Sequence, residues 1–488
     1  MKILFVYSTD IGISADGLLE LQEFMQFGIS YLSSFLKSHG HSTELALLNA
    51  RRNGASVQSL LAHIERFRPR VVCFTAVASQ YDLIARAAAD LRRAFPELFL
   101  LVGGAHATLN PGEVMAGAFD AVCVGEGELP TLELLAQLEE GREPSQIPNL
   151  WIRSHGRIEK NPPRPFVSDL DGLPFPDRAI WQPWMKDRDP ERCAVLLSRG
   201  CPFDCSYCSN HALRRAAPGK YVRMRSPENI VGEIQHVVAQ HPSMREVYLE
   251  TEAITVNRGW CLALCTALQR LNSTLPNPLC FGTNVRVTAR TDCGDLFAAM
   301  RGAGFRFVNI GLESGSERVR SEILRRRYRN DDVARTVDAA RANGLEVAFF
   351  NLIGVPGETI EDFKETVRMN RVCKPDWHFT SIFHPYPGTD LYRTCVQQGL
   401  LRGELDGRAE RTKAELDLPG FPRWQIQRSY RLFDWYVRRG TEPGRDRLLE
   451  IEVIGRALAA RALAILRRAC GRIGRIARGA RRLDERTQ

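Results

Sequence analysis

Three cysteines lie close together in one short segment of the chain, Cys201-Pro-Phe-Asp-Cys205-Ser-Tyr-Cys208. Thiolates at this spacing can bind three irons of a single iron–sulfur cube and leave the fourth iron without a protein ligand. A vacant iron can bind a small molecule and deliver one electron to it. The segment therefore predicts a redox-active iron–sulfur site.

Two other uses of clustered cysteines, a disulfide framework and a zinc site, fit the sequence less well. Thirteen cysteines in 488 residues are few for a disulfide-stapled secreted domain, and the opening MKILFVYSTD does not have the pattern of a secretory signal. A structural zinc site usually takes its ligands as two separated pairs, and the sequence has no second CxxC or HxxxH pair. We expect the other ten cysteines to be small core residues.

The pattern CxxxCxxC, with an aromatic residue, Tyr207, immediately before its last cysteine, resembles the radical S-adenosylmethionine (SAM) superfamily. The resemblance implies a [4Fe–4S] cluster held by Cys201, Cys205 and Cys208, with Tyr207 at the cofactor site. In that family the open iron binds SAM, and one electron from the cluster cleaves the sulfonium to give a 5′-deoxyadenosyl radical. It also implies an external one-electron reductant, such as a flavodoxin or ferredoxin, as a partner.

Length and composition set the outer bounds of the architecture. A chain of 488 residues predicts two or three domains, and 44% hydrophobic with 25% charged residues is typical of a soluble globular protein. The sequence contains no run of eighteen apolar residues, so we expect a cytoplasmic protein without a membrane span.

Residues 1–141 alternate between short apolar runs and segments with helical spacing. The runs of strand length are Ile3–Tyr7, Thr43–Leu48, Val71–Ala76, Leu98–Val102 and Ala121–Val124. The helical segments are Phe24–Ser38, Tyr81–Phe95 and Thr131–Leu138. This alternation predicts an α/β domain with a doubly wound parallel sheet.

Ligands of such a sheet bind at the carboxyl ends of its strands, where this chain has several loops of small residues. The candidate contacts in these loops are Ser8, Thr9, Ser79, Gly103, Gly104, His106, Gly125 and Glu126. In this order, ahead of the cysteine trio, the loops resemble the cobalamin-binding domain of the cobalamin-dependent radical SAM subfamily. A flavin domain or an unliganded structural domain is the alternative.

The first of these loops contains no histidine. The resemblance therefore implies cobalamin bound without a histidine ligand below the cobalt. We expect His106 to be a polar loop residue that packs near the corrin or caps a turn.

Residues 142–193 contain nine prolines, which predicts an extended linker. Residues 194–392 again alternate between strands and helices. The six predicted strands are Ala194–Ser198, Glu246–Leu249, Leu279–Asn284, Phe307–Leu312, Leu345–Ile353 and Phe379–His384. They match the partial (βα)6 barrel of the superfamily, whose active site lies at the carboxyl ends of the strands.

Polar residues at these strand ends are the candidate contacts for SAM. The resemblance implies this role for Glu250, Asn284, Arg286, Glu313 and Ser314, the last two within the pattern Gly-x-Glu-Ser-Gly. A helix-capping role is the alternative for Glu250 and Glu313, because an acid at a helix N-terminus is stabilised whatever its function.

Residues 393–488 are predicted to form a helical C-terminal region, which the resemblance does not cover. An aromatic-rich amphipathic helix is predicted over residues 421–436. Residues 453–483 contain nine arginines and no acidic residue, and the arginines share one side of a helix. This tail could contact an anionic membrane surface or pack on the protein with a solvated basic face. RNA binding is less favoured because the tail has no aromatic residues, and no specific nucleic-acid partner is predicted.

Together these features predict a cobalamin-dependent radical SAM enzyme with a [4Fe–4S] cluster, SAM and cobalamin as cofactors. Methyl transfer to an unactivated carbon of a small-molecule or lipid-like substrate is the favoured reaction. The leading alternative is radical cyclisation or another carbon-skeleton change without methyl transfer. A methylthiotransferase is disfavoured because Cys73 and Cys123 cannot supply a second cluster, and a non-catalytic cobalamin-binding protein would not need the cysteine loop.

Overall fold

The computed structural model of the chain describes residues 1–8, 19, 25–49, 53–186, 189–289, 293–401 and 405–439. The chain divides into two compact units, Met1–Asp434 and Trp435–Gln488. The first unit contains two large sheets. The predicted basic tail, 453–483, and the candidate contact Thr9 lie outside the described residues.

The first sheet has seven strands, in the spatial order β2-β1-β3-β4-β5-β6-β7. These strands are β1 (Lys2–Ser8), β2 (Ser42–Leu48), β3 (Val71–Thr75), β4 (Phe99–Gly103), β5 (Ala121–Cys123), β6 (Leu150–Ser154) and β7 (Arg157–Lys160). The first five pair in parallel, and β6 and β7 are antiparallel. The parallel part is the predicted doubly wound sheet, with every predicted strand present.

Six helices accompany this sheet: α1 (Phe27–Ser38), α2 (Asn53–Phe67), α3 (Tyr81–Ala94), α4 (Ala105–Leu109), α5 (Pro111–Met115) and α6 (Glu128–Glu139). They leave a separate apolar core on each face of the sheet, as expected for parallel strands that are buried on both sides. Helices α2, α4 and α5 were not predicted from the sequence.

Part of the predicted linker is sheet, because β6 and β7 form a hairpin at the edge of the first sheet. The prolines of this region lie on either side of the hairpin, and none occurs between Pro148 and Pro162. The proline-free stretch can therefore donate the backbone hydrogen bonds that a strand requires.

The second sheet has six parallel strands in the order β15-β14-β13-β12-β11-β8. The strands are β8 (Arg192–Leu196), β11 (Glu246–Glu250), β12 (Cys280–Val285), β13 (Phe305–Glu313), β14 (Glu346–Ile353) and β15 (Trp377–Ile382). Two short strands, β9 (Ser198–Arg199) and β10 (Arg223–Met224), pair with each other beside it. All six predicted strands are present, and they form a partial barrel whose strand ends share one edge.

The helices of this half are α7 (Asn210–Leu213), α8 (Pro227–Gln240), α9 (Arg258–Thr274), α10 (Gly294–Ala303), α11 (Asn330–Ala342), α12 (Ile360–Cys373) and α13 (Asp390–Gln397). The predicted C-terminal aromatic helix is observed as two helices, α14 (Arg423–Arg431) and α15 (Phe433–Arg439). None of the helices within the described ranges is long and apolar enough to cross a membrane.

Candidate active site

The three predicted cluster ligands lie in the loop that follows β8 and β9. Gly200 directly precedes the first of them and has a φ of 84°, which is unfavourable for any side chain. A Cβ at Gly200 would also lie 2.2 Å from the carbonyl oxygen of Tyr221. The start of the cysteine loop therefore requires glycine.

The three cysteines supply a donor set that fits a cluster. All three are free thiols; Cys201 and Cys205 are buried and Cys208 is partly buried. Burial raises the pKa of Cys201 to about 12 and also raises that of Cys208, so iron held here would supply the charge that stabilises the thiolates. Among the described residues, no group of three metal-binding side chains is arranged to hold a single metal ion. An iron–sulfur cube does not need such a group, because each of its irons takes only one thiolate.

Arg286, a predicted cofactor residue, contacts the middle cysteine. Its Nη1 donates a hydrogen bond to Cys205 Sγ at 3.0 Å, and its guanidinium stacks on Phe203 with 3.8 Å between the guanidinium carbon and the ring centroid. Arg286 follows the end of β12 and is only 9% exposed. A buried positive charge is therefore fixed beside the sulfur that would bind iron.

A second set of contacts holds Cys208, through residues that were not predicted from the sequence. Asn210 Nδ2 lies 3.7 Å from Cys208 Sγ and donates to Glu252 Oε1 at 2.9 Å. Tyr221 in turn donates its hydroxyl to Asn210 Oδ1 at 2.7 Å. Glu250, the predicted acid of this strand end, is the last residue of β11, and Glu252, two residues further on, contacts Asn210 beside the cluster loop.

Glu313 and Tyr207 meet at a buried arginine, Arg326. Its Nη1 lies 3.2 Å from Glu313 Oε1 and donates to the Tyr207 hydroxyl at 3.1 Å. Glu313 adopts a left-handed backbone conformation with a φ of 59°, which is uncommon for a residue with a side chain. Burial and then the charge of Glu313 raise the pKa of Tyr207, so this tyrosine stays protonated.

Ser314 has contacts that stabilise the fold. Its buried hydroxyl lies 3.3 Å from Thr366 Oγ1 on α12, and the Gly315 amide donates to the same oxygen at 2.9 Å. A Cβ at Gly315 would lie 2.1 Å from the Glu365 carbonyl oxygen. The last two residues of the Gly-x-Glu-Ser-Gly pattern therefore pack the loop against α12.

Asn284 belongs to a hydrogen-bonded set across the inner face of the barrel. The Tyr248 hydroxyl donates to Asn284 Oδ1 at 2.7 Å and accepts from Asn309 Nδ2 at 2.9 Å. Asn284 lies on β12, and Arg286 lies two residues further along, just past the end of the strand. This hydrogen-bonded set therefore reaches, through Asn284, to two residues before the arginine that contacts Cys205.

A further polar group at the barrel mouth was not predicted. Tyr386, four residues after β15, accepts a hydrogen bond from Arg411 Nε at 3.0 Å and donates one to Glu410. Arg411 has a φ of 62°, and its carbonyl oxygen accepts from the Ile382 amide at 2.8 Å. These residues lie near the carboxyl end of β15, and barrel enzymes bind their substrates at the carboxyl ends of the strands.

The first domain contains a cleft of about 270 Å³ at the carboxyl ends of β3, β4 and β5. It is lined by apolar side chains and by glycines, of which Gly103, Gly104 and Gly125 were predicted contacts. Glycine backbone and apolar walls suit a large flat ligand. The cleft extends to Leu196 and Arg199 of the second half of the unit.

Two predicted contacts of the first domain, Ser8 and Ser79, are not among the residues that line this cleft. Ser8 ends β1, and its buried hydroxyl has no hydrogen-bond partner among the described residues. Ser79 lies in a short helical turn after β3, and a Cβ at Gly407 would lie 2.1 Å from its carbonyl oxygen. The Ser79 backbone packs against the C-terminal segment, and contact of either serine with cobalamin stays a prediction.

His106 is buried in α4, and it does not belong to the residues that line the cleft. Its ring packs against that of Tyr81 in a tilted arrangement with 4.4 Å between centroids, and its Nε2 lies 3.7 Å from Glu113 Oε1. Burial lowers the pKa of His106 to about 4, so the ring is neutral. His106 therefore lies in a short helix rather than in a loop, and its expected place near the corrin stays a prediction.

Glu126 lies at the cleft and connects the two halves of the unit. It accepts hydrogen bonds from Arg199 at 3.1 Å, from Arg223 at 2.9 Å and from the Val167 amide at 2.7 Å. Although burial opposes ionisation, the Arg223 hydrogen bond and the two arginine charges hold the pKa of Glu126 below its usual value. Both carboxylate oxygens are therefore engaged by protein donors.

Two family models match the chain. The radical SAM superfamily matches residues 195–369, and the B12 binding domain matches residues 21–135. The first range contains the cysteine loop and most of the partial barrel. The second contains most of the first sheet and its cleft.

Similar proteins include both methyltransferases and cyclases. An uncharacterized methyltransferase from Pyrococcus horikoshii is 26% identical over 77% of this chain and 79% of its own length. The hopanoid C-3 methylase of Methylococcus capsulatus is 26% identical over 76% of this chain and 68% of its own length. The anaerobic magnesium-protoporphyrin IX monomethyl ester cyclase of Rubrivivax gelatinosus is 26% identical over 75% and 65%, so the chain spans just under two thirds of that enzyme.

Solved structures share the fold. The radical SAM methyltransferase TsrM from Kitasatospora setae aligns with a TM-score of 0.64 at 19% identity, covering 81% of this chain and 76% of TsrM. The cobalamin-dependent radical SAM enzyme OxsB aligns with a TM-score of 0.60 at 14% identity, covering 81% and 55%. The family implies three cofactors, a [4Fe–4S] cluster, SAM and cobalamin. The chain belongs to the radical SAM superfamily, as a cobalamin-dependent member that joins a B12-binding domain to a radical SAM core.

Proposed function

We propose that this protein is a C-methyltransferase, which transfers a methyl group from SAM by way of cobalamin to an unactivated carbon. The observation that carries the proposal is the proximity of the two candidate cofactor sites. Arg199 lines the cleft of the first domain and lies two residues before Cys201. A substrate at the barrel mouth would thus be within reach of both sites.

The cofactors supply the radical chemistry and the methyl group when they are bound. The residues of the chain bind, orient and shield them. Cys201, Cys205 and Cys208 would hold the cluster, and Arg286 would neutralise part of its charge. Glu313, kept in place by Arg326, would accept hydrogen bonds from SAM, and the glycine-lined cleft would hold cobalamin.

Radical cyclisation without methyl transfer is the second candidate. Its support is the similarity to the Rubrivivax gelatinosus cyclase, which is as identical to this chain as the two methylases are. The methylase assignment is favoured because the methylases align over a larger share of their own length.

Labelled methionine separates the two reactions even when the substrate is unidentified. Paired strains would express the native chain or Cys205→Ala and receive [methyl-²H₃]methionine. We expect the metabolites that form only with the native chain to carry three deuterium atoms in place of three hydrogens when the labelled methionine is supplied. Native-dependent metabolites that carry no label would contradict methyl transfer and favour cyclisation.

The substrate and the partners are also proposals. A small-molecule or lipid-like substrate and an external one-electron donor such as a flavodoxin or ferredoxin fit the family. Contact of residues 453–483 with an anionic membrane remains a prediction from sequence, and anionic and neutral vesicles in a sedimentation assay would test it.

A further inference from the structure

Four charged residues form a compact group between the cobalamin cleft and the cluster loop, here called the interdomain charge cluster. It consists of Glu126, Glu128, Arg199 and Arg223. Arg199 donates to Glu126 Oε1 at 3.1 Å and to Glu128 Oε1 at 2.7 Å, while Arg223 donates to Glu126 Oε2 at 2.9 Å. The guanidinium of Arg199 also lies over the ring of Tyr31, 5.2 Å from its centroid.

These charges are largely removed from water. The side chains of Arg223 and Glu128 are 3% and 6% exposed, and those of Arg199 and Glu126 are 17% and 19% exposed. Two acids and two arginines balance one another. Buried ion pairs contribute little net stability but disfavour any other arrangement, because a separated partner is left as a buried charge. The cluster therefore fixes one relative position of the two loops.

On one side, the interdomain charge cluster is continuous with the backbone that lines the cleft. Glu126 lies between Gly125 and Gly127, and all three residues line the cleft. Gly125 has a φ of 99°, and its amide donates to Thr108 Oγ1 at 3.0 Å. A ligand that fills the cleft would press on the segment that carries Glu126.

On the other side, the interdomain charge cluster is continuous with the cysteine loop. Arg199 is separated from Cys201 only by Gly200, which has no space for a side chain against Tyr221. Arg223 donates to the carbonyl oxygen of Tyr221 at 3.2 Å, and the Tyr221 hydroxyl bonds to Asn210 beside Cys208. The two arginines thus reach both ends of the cysteine loop through few bonds.

We infer that the interdomain charge cluster couples the two cofactor sites, so that a filled cobalamin cleft favours the cluster-bound conformation of the cysteine loop and the reverse. Glu126 and Arg199 are positioning residues in this account. By linkage, the factor by which the iron–sulfur cluster tightens cobalamin binding equals the factor by which cobalamin tightens cluster binding.

The test measures the affinity of the full chain for hydroxocobalamin, once with the iron–sulfur cluster reconstituted and once without it. For the native chain we expect the dissociation constant to fall by roughly fivefold or more when the cluster is present. Glu126→Gln should bring this ratio close to one. Absorbance of bound cobalamin gives the dissociation constants, so the result does not depend on methyl transfer.

Glu133→Gln is the matched control, because Glu133 forms a two-bonded ion pair with Arg164, at 2.9 and 2.8 Å, away from the cysteine loop. It should keep the native ratio. Arg199→Lys keeps the charge but cannot bond to both acids as a fork, and should give an intermediate ratio if Glu126→Gln does not fold. Equal cobalamin affinities with and without cluster in the native chain, or a native ratio in a folded Glu126→Gln, would overturn the inference.

Discussion

The guanidinium of Arg286 donates a hydrogen bond to the sulfur of Cys205 at 3.0 Å, and it does so from a buried position at the end of β12. A cation fixed at this place favours the more negative state of any cluster that Cys205 binds. Reduction adds one electron to the cluster, so Arg286 should raise its reduction potential.

Arg286→Gln should therefore lower the potential of the reconstituted cluster. Loss of one charge a few ångströms away, at an effective dielectric constant of about 20 to 40, corresponds to a shift on the order of 50 mV or more. A redox titration followed by electron paramagnetic resonance measures it. Arg286→Lys, which keeps the charge, should remain near the native value, and an unchanged potential in Arg286→Gln would contradict this role.

Gly200→Ala should disrupt the cysteine loop more than the strain of a side chain in a left-handed backbone conformation alone would explain. A side chain at this φ costs about 1–2 kcal/mol, and here the new Cβ also meets the Tyr221 carbonyl oxygen at 2.2 Å. We expect lower thermal stability and less than native iron after reconstitution. Thermal unfolding and iron analysis are the measurements.

Gly40→Ala is the control for that substitution, because Gly40 has a φ of 83° and no atom within 4 Å of an added Cβ. It should lose stability by strain alone and bind iron normally. Equal iron content in the two variants would show that the contact with Tyr221 does not shape the loop.

The buried His106 should make the first domain sensitive to acid. Its pKa is lowered from 6.5 to about 4, so the unfolded chain takes up a proton below pH 6.5 while the folded chain does not. Stability is therefore lost as the pH falls from about 6.5 to 4, by about 3 kcal/mol in all. His106→Phe keeps an aromatic ring against Tyr81 and should flatten this dependence. Thermal unfolding between pH 4 and 7 compares the two, and parallel profiles would exclude His106 as the cause.

Most of the fold was predictable because each strand of the two parallel sheets is a short apolar run. The six barrel strands begin and end within two residues of the predicted bounds, as at β14, predicted over Leu345–Ile353 and observed from Glu346 to Ile353. Helices α4 and α5 were missed because five residues are too short to display helical spacing. Helix α2 did carry such a signal, with Leu60, Ile64 and Phe67 on one face.

The candidate site was predictable where chemistry follows from local spacing, as in the cysteine trio. Residues brought in by tertiary structure were not predictable. Arg326 contacts Tyr207 across 119 positions of sequence, and Arg411 contacts Tyr386 across 25. Glu126 was selected from its place after a strand and does line the cleft, but local sequence could not indicate that two distant arginines bind its carboxylate.

The most direct test of the account is reductive cleavage of SAM by the full-length protein after anaerobic reconstitution with iron, sulfide and cobalamin. With dithionite as the reductant, the native chain should form 5′-deoxyadenosine. Cys205→Ala should form none above background while still binding cobalamin, although more weakly if the two sites are coupled. Formation of 5′-deoxyadenosine by Cys205→Ala at the native rate would contradict the assignment of the cluster to this loop.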